Sequence, residues 1–103
     1  MARLSATFRA RNKTSRNFRE QYKRLPPRIR QLAREQARFF ERSPNHPSLR
    51  LHELKDRRKS SHVPKSFSVA VTMGYRAIFF VDQEGTNVWY WIGSHAEYDR
   101  YIG

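Results

Sequence analysis

The chain has 103 residues, which suffices for one domain with a single modest core, and we expect that domain to span residues 1–103. It contains no cysteine, which excludes disulfides and thiolate metal sites and is compatible with a reducing cytoplasm. Neither a signal-peptide core at Met1–Ser5 nor an apolar run approaching the roughly 18 residues of a membrane span is present, so we expect a cytoplasmic protein.

The charge is strongly basic and unevenly distributed. Lys and Arg number 21 against 9 Asp and Glu, a formal net charge of +12. Residues 1–65 carry 19 basic and 5 acidic side chains, whereas residues 66–103 carry 2 and 4. Such a surface favours a polyanionic partner: nucleic acid, the ribosome or an acidic protein. The alternative is a solvated surface that aids solubility, but the preference for Arg over Lys suits phosphate contacts better.

The first half of the chain predicts a strand and two helices. Residues 3–10 alternate weakly and could form an edge strand. Thr14 and Ser15 can cap a short helix that carries Phe18, Tyr22 and Leu25 on one face. The prolines at 26–27 end it and open a second helix, since proline is tolerated in a first turn. That helix has an apolar side formed by Ile29, Leu32, Ala33, Ala37, Phe39 and Phe40, and an arginine stripe formed by Arg30, Arg34 and Arg38.

After residues 43–48 the pattern changes to a period of two. Residues 49–54 predict a strand, in which His52 has the opposite phase to Leu49 and Leu51. A charged loop at 55–65 follows, and then a strand whose apolar face is Phe67, Val69, Val71 and Met73. Gly74 turns the chain into a strand over 75–81, residues 82–86 form a hairpin turn, and a last strand covers 88–92.

Residues 96–102 predict a short helix. The expected fold class is therefore α+β: an N-terminal strand, a two-helix hairpin, a three-strand antiparallel meander and a short C-terminal helix.

The histidines do not predict a metal site. His46, His52, His62 and His95 lack the spacing of helical ligand pairs, and few carboxylates lie near them. There is also no glycine-rich phosphate loop and no nucleophile elbow. We therefore expect no cofactor.

Metal-independent RNA cleavage remains compatible with these residue types. It needs proton transfer from the 2′-hydroxyl and to the leaving 5′-oxygen, together with stabilisation of the charged phosphorane. His95 beside Gly93 at a strand end is one candidate for proton transfer, and His52 is another. Arg76 lies in an apolar segment, where an unpaired charge is unfavourable, so it either forms a structural ion pair or faces a phosphate groove.

Other candidates could bind or stack RNA. Tyr98 and Tyr101 could stack a base or transfer a proton, or could simply pack against the sheet. Seven basic residues of the loop and of the second helix are candidates for phosphate contacts: Lys55, Arg57, Arg58, Lys59, Lys65, Arg34 and Arg38.

Four short motifs, in this order, resemble the RelE/ParE superfamily of bacterial type II toxins. They are the residues at 46–54, at 67–69, at 74–78 and at 91–99. The resemblance implies a metal-independent endoribonuclease that cuts mRNA, acts at the ribosome and so contacts ribosomal RNA, and is neutralised by an acidic antitoxin. Arg76 matches the family arginine that contacts the scissile phosphate, while His95 and His52 are similar to the histidines of the YafQ-type branch. Tyr98 or Tyr101 corresponds to the family's C-terminal tyrosine.

The resemblance is incomplete. The two strand lysines of RelE fall on Ser68 and Ala70 here, so the RelE lysine mechanism does not apply. Two alternatives remain open: a ParE-like toxin that inhibits DNA gyrase without nuclease activity, and a weakly toxic relative that binds RNA or an antitoxin.

Overall fold

The computed structural model describes residues 11–103, so the strand expected at 3–10 lies outside the described residues. In chain order the elements are β1 (Asn12–Thr14), α1 (Arg16–Lys23), α2 (Pro27–Arg42), a 3₁₀ turn (Pro47–Leu49), β2 (His52–Glu53), β3 (Phe67–Thr72), β4 (Tyr75–Val81), β5 (Asn87–Ser94) and α3 (His95–Ile102). The predicted α+β class, helical hairpin and meander are confirmed.

The strands form one sheet in the order β1-β5-β4-β3-β2. Strands β2 to β5 pair antiparallel with their neighbours, whereas β1 pairs parallel with β5. Strand β4 is thus central, and its Arg76 lies opposite Ala70 of β3 and Gly93 of β5. Pairing of His52 with Ser68 adds β2 to the other side of β3.

Helices α1 and α2 cover one face of the sheet. Ser15 caps α1 by accepting the Phe18 N–H at 3.0 Å, and Pro27 begins α2. Their apolar sides pack on the alternate β-strand residues that include Val69 and Val71, which form two adjoining core clusters. This face contains most of the apolar core.

Helix α3 lies against the other face. Tyr98 packs there with Leu54, Ile78 and Trp91 in a third buried cluster. Because side chains alternate along β3, Ser68 belongs to this face while Val69 belongs to the helical-hairpin face. The sheet therefore separates the α1–α2 hairpin from α3.

Two sequence predictions differ from the structure. The strand expected over 49–54 is reduced to two residues, because Leu49 ends a 3₁₀ turn and Arg50 adopts the left-handed conformation at φ 48°. Met73 does not extend the apolar face of β3: it lies in the β3–β4 turn and is 79% exposed. The phase of His52 is as predicted, since Leu49 and Leu51 are buried on the hairpin face.

Candidate active site

The Arg76 side chain is buried on the α3 face of the central strand. Its Nε and Nη2 atoms donate to the Ser68 Oγ at 3.1 and 2.8 Å. Arg76 is 8% exposed and Ser68 is fully buried. The guanidinium is therefore held on the sheet by a neutral hydroxyl.

Two further side chains complete the surroundings of Arg76. Nη2 lies 3.3 Å from His52 Nδ1, and the opposite ring nitrogen of His52, Nε2, lies 3.5 Å from the Tyr98 hydroxyl. The guanidinium carbon is 5.3 Å from the centroid of the Tyr98 ring, which is cation–π geometry. Three predicted site residues, Arg76, His52 and Tyr98, thus meet at one place.

Arg76 has no acidic partner in residues 11–103, where the ion pairs are formed by Arg11, Lys13 and His95 with other carboxylates. Burial lowers the pKa of Arg76, while the Tyr98 hydroxyl raises it and nearby Arg50 lowers it further. Arginine remains charged even so. The structural ion pair, one of the two predicted alternatives, is thus not found for Arg76 within residues 11–103; its contacts are instead with the neutral side chains of Ser68, His52 and Tyr98.

The His52 ring is oriented by the backbone of a left-handed residue. Arg50, at φ 48°, presents its carbonyl oxygen 3.0 Å from His52 Nδ1. If Nδ1 carries the proton, it donates to this carbonyl and Nε2 has a free lone pair toward Tyr98. If Nε2 carries it, Nδ1 accepts from Arg76 instead. Both tautomers therefore have partners, and His52 itself is exposed, so solvent or a ligand reaches it.

His95 lies at the margin of this cluster. It is the first residue of α3, with its side chain 53% exposed and Nδ1 3.5 Å from Asp99 Oδ1. Its ring centroid is 5.7 Å from that of Tyr98. Its backbone N–H donates to the Gly74 carbonyl at 2.8 Å. His95 therefore borders the site through Tyr98.

Tyr101 is not part of the cluster. Its ring stacks on Trp91, with centroids 5.1 Å apart and planes at 21°. Burial raises its pKa, and Tyr90 raises it further. Of the two candidate tyrosines, Tyr98 is thus the one beside Arg76.

Gly93 allows α3 to begin close to the sheet. A Cβ atom at this position would lie 2.9 Å from the Trp91 ring and 3.1 Å from Glu97 Oε1. Ser94 then caps the helix: its Oγ accepts the Glu97 N–H, and the Glu97 carboxylate accepts the Ser94 N–H. This capping box fixes the first turn of α3, from which His95 and Tyr98 project.

The basic loop, residues 55–65, is joined to α3 and to the sheet. Ser60 Oγ donates to the Ile102 carbonyl, and the Ser61 N–H donates to that of Tyr101 at 2.9 Å. The buried His62 lies 3.0 Å from the Lys55 carbonyl, and the Val63 N–H donates to the Tyr90 hydroxyl at 2.9 Å. Five predicted RNA-binding side chains of this loop are exposed: Lys55, Arg57, Arg58, Lys59 and Lys65.

The two arginines of α2 lie elsewhere. Arg34 and Arg38 are exposed on the helical hairpin, and Arg34 donates to the Tyr22 hydroxyl of α1. Because α2 packs on the opposite face of the sheet, these two charges do not share a surface with Arg76.

Residues 11–103 contain no group of three or more His, Cys, Asp or Glu side chains that could hold a metal ion. No helix in the same range is long and apolar enough to cross a membrane.

The fold is that of small α+β toxins from bacteria and archaea. The chain matches the archaeal RelE–RelB complex from Pyrococcus horikoshii OT3 with a TM-score of 0.63 and 13% identity, over 84% of this chain and 96% of that one. It matches the toxin–antitoxin complex RelBE2 from Mycobacterium tuberculosis with a TM-score of 0.62 and 23% identity, over 85% of this chain and 100% of that one. It matches the YoeB/ParE toxin from Agrobacterium tumefaciens with a TM-score of 0.62 and 15% identity, over 82% of this chain and 98% of that one.

No protein-family model and no curated protein matches the sequence. The chain nevertheless has the fold of the RelE/ParE toxin superfamily, as its four motifs predicted.

Sequence reasoning did not identify Ser68 and Arg50 as site residues. Ser68 has the same phase in β3 as Ala70 and Thr72, opposite to the apolar phase of Val69 and Val71, so the sequence pattern does not indicate that it is buried. Arg50 gives no signal either, because its contribution is a backbone conformation and a carbonyl group.

Proposed function

We propose that this protein is the toxin of a type II toxin–antitoxin pair and that it cleaves mRNA as an endoribonuclease. The observation that carries the proposal is the Arg76 guanidinium, which is buried, has no carboxylate partner among residues 11–103 and lies next to an exposed histidine. A buried cation is stabilised by an anion, and a phosphate fits the planar donor array of arginine. The histidine beside it can move protons near neutral pH.

The proposed reaction is attack of the 2′-hydroxyl on the adjacent phosphorus, with departure of the 5′-oxygen. Arg76 binds the phosphate oxygens and stabilises the additional negative charge of the phosphorane. His52 takes or gives a proton through Nε2, with the Tyr98 hydroxyl 3.5 Å away as its neighbour. His95, which is exposed and has its ring centroid 5.7 Å from that of Tyr98, is a second proton-transfer group at the margin of the site. These side chains supply both proton transfers, so no metal is required.

The basic loop extends this site for RNA. Its exposed Lys and Arg side chains are suited to backbone phosphates, on mRNA and on ribosomal RNA, and its bonds to the Tyr101 and Ile102 carbonyls join it to the C-terminal end of α3. The solved structures that share the fold include complexes of RelE with RelB. An acidic antitoxin is therefore the proposed protein partner, in agreement with a net charge of +12.

Induced expression of the wild type, Arg76→Ala and His52→Ala tests this function. Growth is followed, and the 5′ ends of cellular mRNA are mapped, in the same cultures. We expect the wild type to arrest growth and create new mRNA ends, and both variants to do neither. Purified protein should cleave RNA alone or with ribosomes; the test with excess EDTA is made on free RNA, because ribosomes dissociate without Mg²⁺.

Arrest without new mRNA ends would rule out the nuclease. In that case DNA breaks would indicate the ParE-like alternative, since gyrase poisoning does not need the histidines.

A further inference from the structure

Ser68 is the innermost polar group of the candidate site. It is fully buried in β3, and its Oγ accepts two hydrogen bonds from one edge of the Arg76 guanidinium. Resting on the proposed function, we propose that Ser68 is a positioning residue that fixes Arg76 for a phosphodiester. Two bonds to one acceptor fix both the plane and the reach of a long side chain that would otherwise have many rotamers.

The bonds determine which guanidinium protons remain for a ligand. Ser68 takes the Nε proton and one Nη2 proton, and His52 lies where it can accept the second Nη2 proton. When Nδ1 of His52 accepts that proton, the Nη1 protons are the ones left for an incoming phosphate; when Nδ1 carries its own proton, so that Nε2 can act as the base, the second Nη2 proton is left as well. Phosphate bound through Nη1 lies on the side of the guanidinium away from the Ser68 edge.

The hydroxyl also sets the charge of the buried site. A neutral residue at position 68 leaves Arg76 as the buried cation, which matches the single negative charge of one phosphodiester. Arg50 adds charge only from an exposed position, where solvent and salt screen it. A lysine at this position would bring a second positive charge into the same buried site and repel the guanidinium. Ser68 and Arg76 therefore form a matched pair.

The experiment compares Ser68→Ala with Ser68→Thr, which keeps the hydroxyl, and with Ser68→Lys. The matched control is Ser66→Ala, another fully buried serine, which bonds to Val63 and Tyr90 instead of Arg76. The ligand is a 2′-O-methyl RNA hexamer without terminal phosphates, which cannot be cleaved through its 2′-oxygen. Affinity, thermal stability and the NMR signal of the Arg76 Nε–H group are measured for each folded protein.

We expect Ser68→Ala to weaken hexamer binding about tenfold or more and to speed solvent exchange of the Arg76 Nε proton. Ser68→Thr should keep the hexamer affinity and the Arg76 Nε exchange rate of the wild type. Ser68→Lys should not bind the hexamer more tightly than the wild type does. Ser66→Ala should change thermal stability alone. Wild-type affinity in Ser68→Ala, or tighter binding by Ser68→Lys, would overturn the inference.

If the wild type itself does not bind the hexamer, the free protein does not bind RNA, and the proposed function is decided by the expression and mRNA-end assay. The Nε exchange rate then decides the role of Ser68 alone: an unchanged rate in Ser68→Ala contradicts it.

Discussion

The Arg76 guanidinium lies over the face of the Tyr98 ring, with its carbon 5.3 Å from the ring centroid. An aromatic face attracts a cation without neutralising it, whereas a carboxylate would form an ion pair and compete with a ligand. The site thus stabilises a buried positive charge and still leaves that charge available. This relationship explains how Arg76 can be 8% exposed in the protein without RNA.

Replacing Arg76 should separate stability from activity. Arg76→Met keeps much of the apolar volume and removes a buried charge, so we expect unfolding free energy to stay constant or rise by about 1 kcal/mol while RNA cleavage is lost. Arg76→Lys keeps the charge but loses the planar donor edge, and cleavage should fall at least about a hundredfold. Denaturant unfolding and single-turnover cleavage measure the two effects. A stability loss in Arg76→Met comparable to that of a core truncation would contradict this expectation and show that the bonds to Ser68 and His52 outweigh the cost of burying the charge.

The two site histidines should differ in importance. His52 lies 3.3 Å from Arg76, whereas His95 reaches the cluster only through the Tyr98 ring. We expect His52→Ala to reduce the rate of cleavage by about 10² to 10⁴ and His95→Ala to reduce it less. Rates measured at saturating RNA in both single variants and the double variant test this order. The reverse order would place the reacting phosphate at the N-terminus of α3.

The close approach at Gly93 predicts a strong effect of one methyl group. In Gly93→Ala the new Cβ would lie 2.9 Å from the Trp91 ring, so the ring or helix α3 must shift, destabilising the fold by about 1 to 3 kcal/mol. Gly74→Ala is the matched control, because the nearest atom to its Cβ would be 4.0 Å away. Thermal melts and tryptophan fluorescence report both variants. Equal melting temperatures would show that the start of α3 is loosely packed.

The sheet should divide the basic residues into two functional sets. The double variant Arg57→Ala/Arg58→Ala and the double variant Arg34→Ala/Arg38→Ala each remove two positive charges, from opposite sides of the molecule. We expect the loop variant to make the negative slope of log affinity against log salt shallower by roughly 1 to 1.5 for single-stranded RNA. The α2 variant should change this slope little. An equal change of slope in the two variants would indicate that RNA contacts both sides.

Acid should weaken the start of α3. The Ser94 backbone N–H, and then its side chain, lower the pKa of Glu97 below its usual range. A carboxyl whose folded pKa is depressed stabilises the protein above its unfolded pKa of about 4.3, and this contribution disappears as the pH falls through the folded value. We expect Glu97→Gln to lose less stability than the wild type below roughly pH 4. Melting temperature against pH measures this, with Glu35→Gln, on the exposed side of α2, as the control carboxyl removal.

Much of the architecture was predictable because its signals are local. The apolar face of α2, the start of β4 at Tyr75 and the hairpin at 82–86 follow from periodicity and turn residues. The parallel pairing of β1 with β5 has no such signal. Asn12–Thr14 is polar and fully exposed, and only the register with residues 87–89 makes it a strand.

The site was predictable in its residue types but not in its arrangement. Arg76 and His52 were identified because a charge in an apolar strand and a histidine out of phase with its neighbours are both unusual. Which of the two candidate histidines lies beside Arg76 could not be predicted from the sequence, since the position of His52 depends on where β2 pairs with β3. The bridging roles of Ser68 and Tyr98 likewise arise only when three separate elements meet.

The central position of β4 has a consequence for dynamics. Arg76 sits on a strand bonded on both sides, so its backbone amide can exchange with solvent only when β3 or β5 detaches, an opening close to global unfolding. Of the residues around it, Ser68 and Tyr98 are buried in β3 and α3, whereas His52 belongs to an edge strand of two residues. The molecule therefore keeps its cation fixed on the sheet, and we expect His52 to separate from it and return on faster timescales.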